Sequence, residues 1–217
     1  FNWIIVGPHE TIDELYLPPA EIIEEPQKKE GDYYCLNKAW NVAFQQAKGE
    51  LIISIVDGLW FPPDTLEKLW TIYEYNPKAC VTCVGHQYDQ MINGKPEHMV
   101  WRDPRVKDDS YSFRHVSPTE MELCIASIPR QAIIDVGGVD QEFDKYAALS
   151  EKEMCWRMNA LGYEFYLNQA IEYRAIKHDR ISSEWDKKYL EGCTYFDTCL
   201  KEIQEGKRLR LPYLDRY

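Results

Sequence analysis

The chain has 217 residues, 45% of them hydrophobic, with 36 acidic and 25 basic side chains and a formal net charge of −11. That length and apolar share support one large domain or two small ones around a real core, and they exclude global disorder. A chain this acidic is disfavoured as a general binder of nucleic acid or anionic membrane, a local basic patch being the exception.

Asn2–Gly7 reads as a short buried strand ended by the Gly7-Pro8 turn signal, so the chain is expected to begin inside its fold. Ile22–Glu25 reads as a second short strand, followed by a solvated loop. Leu36–Lys48 has helical spacing, with Leu36, Ala39, Trp40, Ala43, Phe44 and Ala47 on one face and Gly49 as its stop. Leu51–Val56 is an apolar, mostly β-branched run. It suits a strand covered on both faces in the middle of a parallel sheet. Asp64 is expected to cap a helix over Thr65–Tyr75, and Ala79–Tyr88 to form a further strand before an Asn93-Gly94 hairpin turn. The polar and aromatic stretch His98–Thr119 reads as a long loop of the kind that carries function. Glu122–Ser127 returns to strand, Pro129 opens a helix over Arg130–Val136, and Gly137-Gly138 ends it. A helix over Ser150–Leu161, strands at Glu164–Leu167 and Ile171–Ile176, and a long helix from Ser183 to Glu205 complete the chain, before a basic, aromatic tail. Alternating strands and helices predict an α/β fold with a mainly parallel twisted sheet flanked by helices.

Seven cysteines are scattered along the chain. Cys80 and Cys83 have CxxC spacing but lie in the strand-like run ACVTCV, where positions i and i+3 face opposite ways. Free thiols in a reducing compartment are expected, and no stretch approaches the ~20 apolar residues of a membrane span. A cytoplasmic location follows as the expectation.

Several residues are candidates for chemistry. Asp57 closes the apolar strand and is followed by Gly58, which puts a carboxylate at the edge where open α/β sheets bind ligands. Its bland alternative is a turn starter. Ser150 with Glu153 fits a capping box, leaving Glu151 free in the first turn of its helix as a possible general base. His178, in AIKHDR, gains interest as a ligand for a Mn²⁺-like ion only if it lies near Asp57. Gly137-Gly138 is either a plain helix stop or a place where a ligand approaches the backbone. Trp40, Trp70 and Trp156 have core spacing, whereas Trp60 and Trp101 fall in predicted loops and could stack on a sugar or base.

The order of these pieces resembles a known family. An Asn-containing helix ending in Ala-Lys-Gly-Glu leads into a hydrophobic strand, an Asp, and then Pro-Pro-Asp-x-Leu-Glu-x-Leu. Ile-Pro-Arg, Gly-Gly-Val-Asp-x-x-Phe-Asp, and an acidic pair before Cys-Trp-Arg-Met-Asn-Ala-Leu-Gly-Tyr follow. Together they resemble the inverting nucleotide-sugar glycosyltransferases of the large family 2, which have the GT-A fold. The resemblance covers roughly Phe1 to Asp179 and implies a glycosyltransferase domain over residues 1–180, its first strand absent; residues 181–217 lie outside it and are expected to form a C-terminal helix and tail packed on that domain. It implies Glu151 as the catalytic base and Lys38, Asn41, Asp57, Gly137 and Gly138 at the donor. Asp57 and His178 would hold a divalent metal, Mn²⁺ or Mg²⁺, although Leu59 stands where the family has a second Asp. Trp60, Trp101 and Asp140 are the expected acceptor contacts, with Tyr111–His115 and Lys207–Arg210 as further places to look. The implied reaction moves a sugar, hexosyl in type, from a nucleotide-diphosphate donor to an acceptor hydroxyl with inversion. A UDP-sugar is the first choice of donor. Glycan, lipid-linked sugar, protein and hydroxylated DNA base are the acceptor classes left open. The rival reading is a non-catalytic module that keeps the fold for binding or as a scaffold.

Overall fold

The computed structural model describes residues 1–7, 19–106, 113–177 and 184–214. Its main sheet has seven strands in the order β3-β8-β5-β9-β4, with β6 on β5 and β7 on β9. These are β3 (Leu51–Ile55), β4 (Leu59–Trp60), β5 (Ala79–Ile92), β6 (Lys95–Trp101), β7 (Phe113–His115), β8 (Ile125–Pro129) and β9 (Glu164–Ile176). The strands β1 (Trp3–Gly7) and β2 (Ala20–Glu24) pair in parallel as a separate ribbon. Among the described residues there are five α-helices: α1 (Leu36–Gln46), α2 (Thr65–Tyr75), α3 (Arg130–Val136), α4 (Ser150–Ala160) and α5 (Trp185–Gln204), the last packed on α4.

The α/β architecture is the expected one, but the main sheet is mixed rather than mainly parallel. Within it only β5 and β9 run in parallel; every other pairing is antiparallel. Residue patterns report how a strand is covered, not the direction of its neighbour, so they could not reveal this. The same limit applies to β3, which lies at the end of the strand order instead of its middle. Its apolar run is explained by coverage: Ile52 packs on the cluster built by α1, α3 and α4, and Ile53 on the opposite cluster around Leu69 and Ile171. Cys80 and Cys83 divide between those two clusters in the same way, and all seven cysteines are free.

Parts of the stretch expected to be a loop pair with the long central strands. The chain turns at Asn93-Gly94 and returns as β6, while β7 adds to β9. Glu164–Ile176 is one strand with a register shift rather than two strands. Trp60 and Trp101 therefore lie in strands. No helix among the described residues is long and apolar enough to cross a membrane.

Candidate active site

A cavity of about 200 Å³ opens between the start of α1, the end of β3 and the start of α4. Val56, directly before Asp57, lines it together with Glu151, Asn37, Trp40, Glu122 and Tyr146. The Val56 amide donates to the Cys124 carbonyl at 3.0 Å, which ties the end of β3 to the segment carrying Glu122. Asp57 itself forms the turn after β3 and is exposed. Its carboxylate makes no hydrogen bond or ion pair with any described residue.

Glu151 is in the first turn of α4, its side chain only 14% exposed. Burial pushes its carboxyl above the ordinary carboxylate range, with the Lys152 ammonium opposing the shift and Glu122 adding to it. Ser150 Oγ lies 3.4 Å from Glu151 Oε2. The turn that delivers this helix is strained: Leu149 has a left-handed backbone at φ 83°, a conformation that costs a non-glycine residue about 1–3 kcal/mol. Packing of Leu149 with Phe143 and with Cys199 of α5 holds it there.

Glu153, two residues on, does not fold back on the helix start as a capping box would require. Its carboxylate receives the Arg157 guanidinium on both oxygens, at 2.9 Å and 3.0 Å from Nε, and accepts from Arg208 at 3.0 Å. An arginine with no other full counter-charge in the core outcompetes a neutral amide for that carboxylate.

The expected donor residues have other partners. Asn41 spends its amide on Val139, donating to the carbonyl and accepting from the amide, each at 2.8 Å. Gly137 and Gly138 have φ of 72° and 86°, which suits glycine. A Cβ on Gly137 would meet the Leu211 carbonyl oxygen at 1.8 Å, and one on Gly138 would meet Asn41 Oδ1 at 2.3 Å. The two glycines thus make room for the chain's own C-terminal strap and α1 in place of a ligand. Lys38 is paired with Asp32 and lies 3.9 Å from Asp144, whose carboxylate also accepts the Asn37 amide at the start of α1.

Two of the three expected acceptor contacts, Asp140 and Trp60, are similarly engaged. Asp140 is buried and accepts from the Glu142 amide at 3.0 Å, Tyr195 at 2.8 Å, Tyr213 at 3.2 Å and Arg208. The Trp60 ring carries Lys95 at 5.6 Å and Arg174 at 5.2 Å, so a stacking sugar would have to displace a cation. Trp101 is 46% exposed at the end of β6. In the basic tail, Arg208 and Arg210 bind inward, Arg210 to the carbonyls of Ile134 and Leu214. Of the segment 111–115, Phe113 and His115 lie against the Tyr166 ring, and 111–112 fall outside the described residues.

His178 also lies outside the described residues. Among those described, no three His, Cys, Asp or Glu side chains gather as a metal site. Asp57 presents an exposed carboxylate with no partner among the described residues, a chemistry that fits one position in the shell of a hard cation whose other ligands come from elsewhere. Leu59, at the second-acid position, pairs with Ala175 and packs on the second core cluster. Residues that sequence reasoning missed are Glu122, Lys152 and Leu149, because their importance comes from neighbours far along the chain.

Comparison with solved structures supplies the fold's relatives. GalNAc-T7, solved with UDP, GalNAc and Mn²⁺, superposes with a TM-score of 0.63 at 15% identity, over 99% of this chain and 46% of that one. S. aureus TarS 1-349, solved with UDP, superposes with a TM-score of 0.53 at 13% identity, over 94% of this chain and 61% of that one. The chain therefore spans about half to three-fifths of the length of these two proteins, and at such identities the likeness establishes the shared GT-A fold. No curated protein sequence matches the chain. The family model described as Glycosyl transferase family 2 matches residues 11–134, more than half of the sequence, and the chain accordingly belongs to that glycosyltransferase family.

Proposed function

We propose that this chain carries the transfer centre of an inverting glycosyltransferase that uses a nucleotide-diphosphate sugar, with Glu151 as general base. One observation carries the reading: Glu151 and Val56, the residue before Asp57, line the same cavity. A buried carboxylate beside an exposed one gives two acids different tasks. Glu151 takes the proton of an acceptor hydroxyl, and the freed oxygen pair forms a bond to the anomeric carbon. The bond from that carbon to the diphosphate oxygen breaks on the opposite face, and the nucleoside diphosphate leaves with the electron pair. Glu151 then passes its proton to solvent. Asp57, with His178, would hold a divalent ion whose charge neutralises the leaving diphosphate. UDP-sugars are the first donors to test, since both solved relatives contain UDP.

The test is a screen of nucleotide sugars that follows nucleoside diphosphate release, with and without Mn²⁺, on the native chain and on Glu151→Gln. Release by the native chain that falls steeply in Glu151→Gln is expected. Near-normal release by the variant removes the base assignment.

Leu59 supports a second reading, a non-catalytic member that keeps the fold as a binding or scaffold module. The second-acid position is a packed strand residue, not an open ligand. Calorimetry separates the two readings: a scaffold binds no nucleotide sugar in a Mn²⁺-dependent way.

A further inference from the structure

Lys152 follows Glu151 on α4, yet the reaction sketched above leaves it without a task. Its ammonium lies 3.7 Å from Glu151 Oε1, donates to Glu122 Oε1 at 2.8 Å and donates to the Met121 carbonyl at 3.1 Å. A lysine in the first turn of a helix is badly placed against the positive end of the dipole and ordinarily extends into water. This one is 16% exposed, turned inward and fixed at two points on the segment before β8. Burial alone would lower its proton affinity, but Glu151 and Glu122 hold it above the ordinary lysine value.

Around Glu151 the Ser150 hydroxyl at 3.4 Å and the amide at the helix start also favour the charged form, while burial and Glu122 oppose it. Lys152 and Cys155 face it from its own helix, Glu122 and Cys124 from the neighbouring segment, and Tyr34 and Tyr146 line the cavity beside it. The Arg105 guanidinium, a like charge, opposes the protonated form of Lys152. Among the described residues, Lys152 is the cation within ion-pair distance of Glu151.

We propose that Lys152 is a positioning residue for Glu151: anchored on Glu122 and the Met121 carbonyl, its ammonium keeps the buried carboxylate ionised and ready to accept a proton. The proposal rests on the reading of Glu151 as the base. Desolvation favours the neutral acid, and an opposite charge within about 4–6 Å restores the charged form by roughly 1–3 pH units. Glu122 works in two directions. It holds the ammonium in place, and as a like charge it makes Glu151 harder to ionise.

A titration reads this without any knowledge of donor or acceptor. The folded full chain is labelled with ¹³C at glutamate carboxyls, and the Glu151 resonance is identified by its loss in E151Q. In K152M the midpoint of that resonance is expected to rise by about 1–3 pH units. K152R, which keeps the charge, is expected to stay near the native midpoint. An unchanged midpoint in K152M overturns the proposal. Should K152M not fold, the same titration is made on K152Q, which is neutral but polar; an unchanged midpoint there overturns the proposal. The parent reading fails separately: full turnover by E151Q removes the base assignment and leaves these midpoints as they are.

Discussion

Glu151 and Glu153 stand two residues apart on one helix and live in opposite surroundings. Glu153 is fully buried, clasped by Arg157 along the helix and by Arg208 from the C-terminal strap. Glu151 faces a cavity, with one ammonium at the limit of ion-pair distance. The same split separates Asp140, whose carboxylate takes four donors, from Asp57, which takes none among the described residues. In this fold the acids that hold the structure are saturated with donors, and the acids at the cavity edge are left with capacity to spare.

The largest effect that would test the contrast is on stability. Glu153→Gln leaves the buried Arg157 without its counter-charge, and removing one partner of such a pair costs about 3–5 kcal/mol. Urea denaturation should show that loss; a change under ~1 kcal/mol would erase the distinction between the two acids. Glu151→Gln should do the reverse, moving the denaturation midpoint little while lowering sugar transfer by roughly 10²–10⁴-fold. Arg208→Ala comes next. It removes charge-assisted hydrogen bonds to Asp140 and Glu153, worth about 2 kcal/mol in denaturant titrations, and should speed proteolysis of the strap.

The smallest expected effect is a pH dependence. His86 is buried and accepts the Asp103 amide through Nδ1 at 3.0 Å, and burial lowers its proton affinity. As pH falls, the unfolded chain takes up this proton first. The stability from neutral His86 is present above the unfolded value of about 6.5 and is lost as pH falls through the lower folded value. Denaturation midpoints at about pH 7.5 and about pH 5.5 should differ less in His86→Gln than in the native chain.

Local chemistry made much of this fold legible. The span of α3 follows directly from Pro129 and the Gly137-Gly138 stop, and α2 starts after Asp64 as expected, although the Asp64 carboxylate pairs with Lys68 at 2.9 Å and makes no capping hydrogen bond. The opposite placement of Cys80 and Cys83 follows from strand alternation. What the sequence hid was pairing across distance. The neighbours of β3, the short strand at Trp60 and the β6 return of β5 depend on which backbones meet, and side-chain pattern carries no record of that. The site shows the same division. Glu151 is legible from its place in the helix, whereas nothing local marks Lys152, whose partners Glu122 and Met121 lie 30 and 31 residues away. Gly137 and Asp140 looked like ligand contacts because the strap that occupies them arrives some 70 residues after the glycine turn, and Asn41 because its partner Val139 lies 98 residues on.

Leu214 is buried in the same cluster as Phe44 of α1 and Met154 of α4. During synthesis, then, the hydrophobic interior behind the cavity cannot close until the segment carrying Leu214 has cleared the ribosome exit tunnel. Earlier segments must wait with part of that apolar surface bare, which gives molecular chaperones a window on the nascent chain.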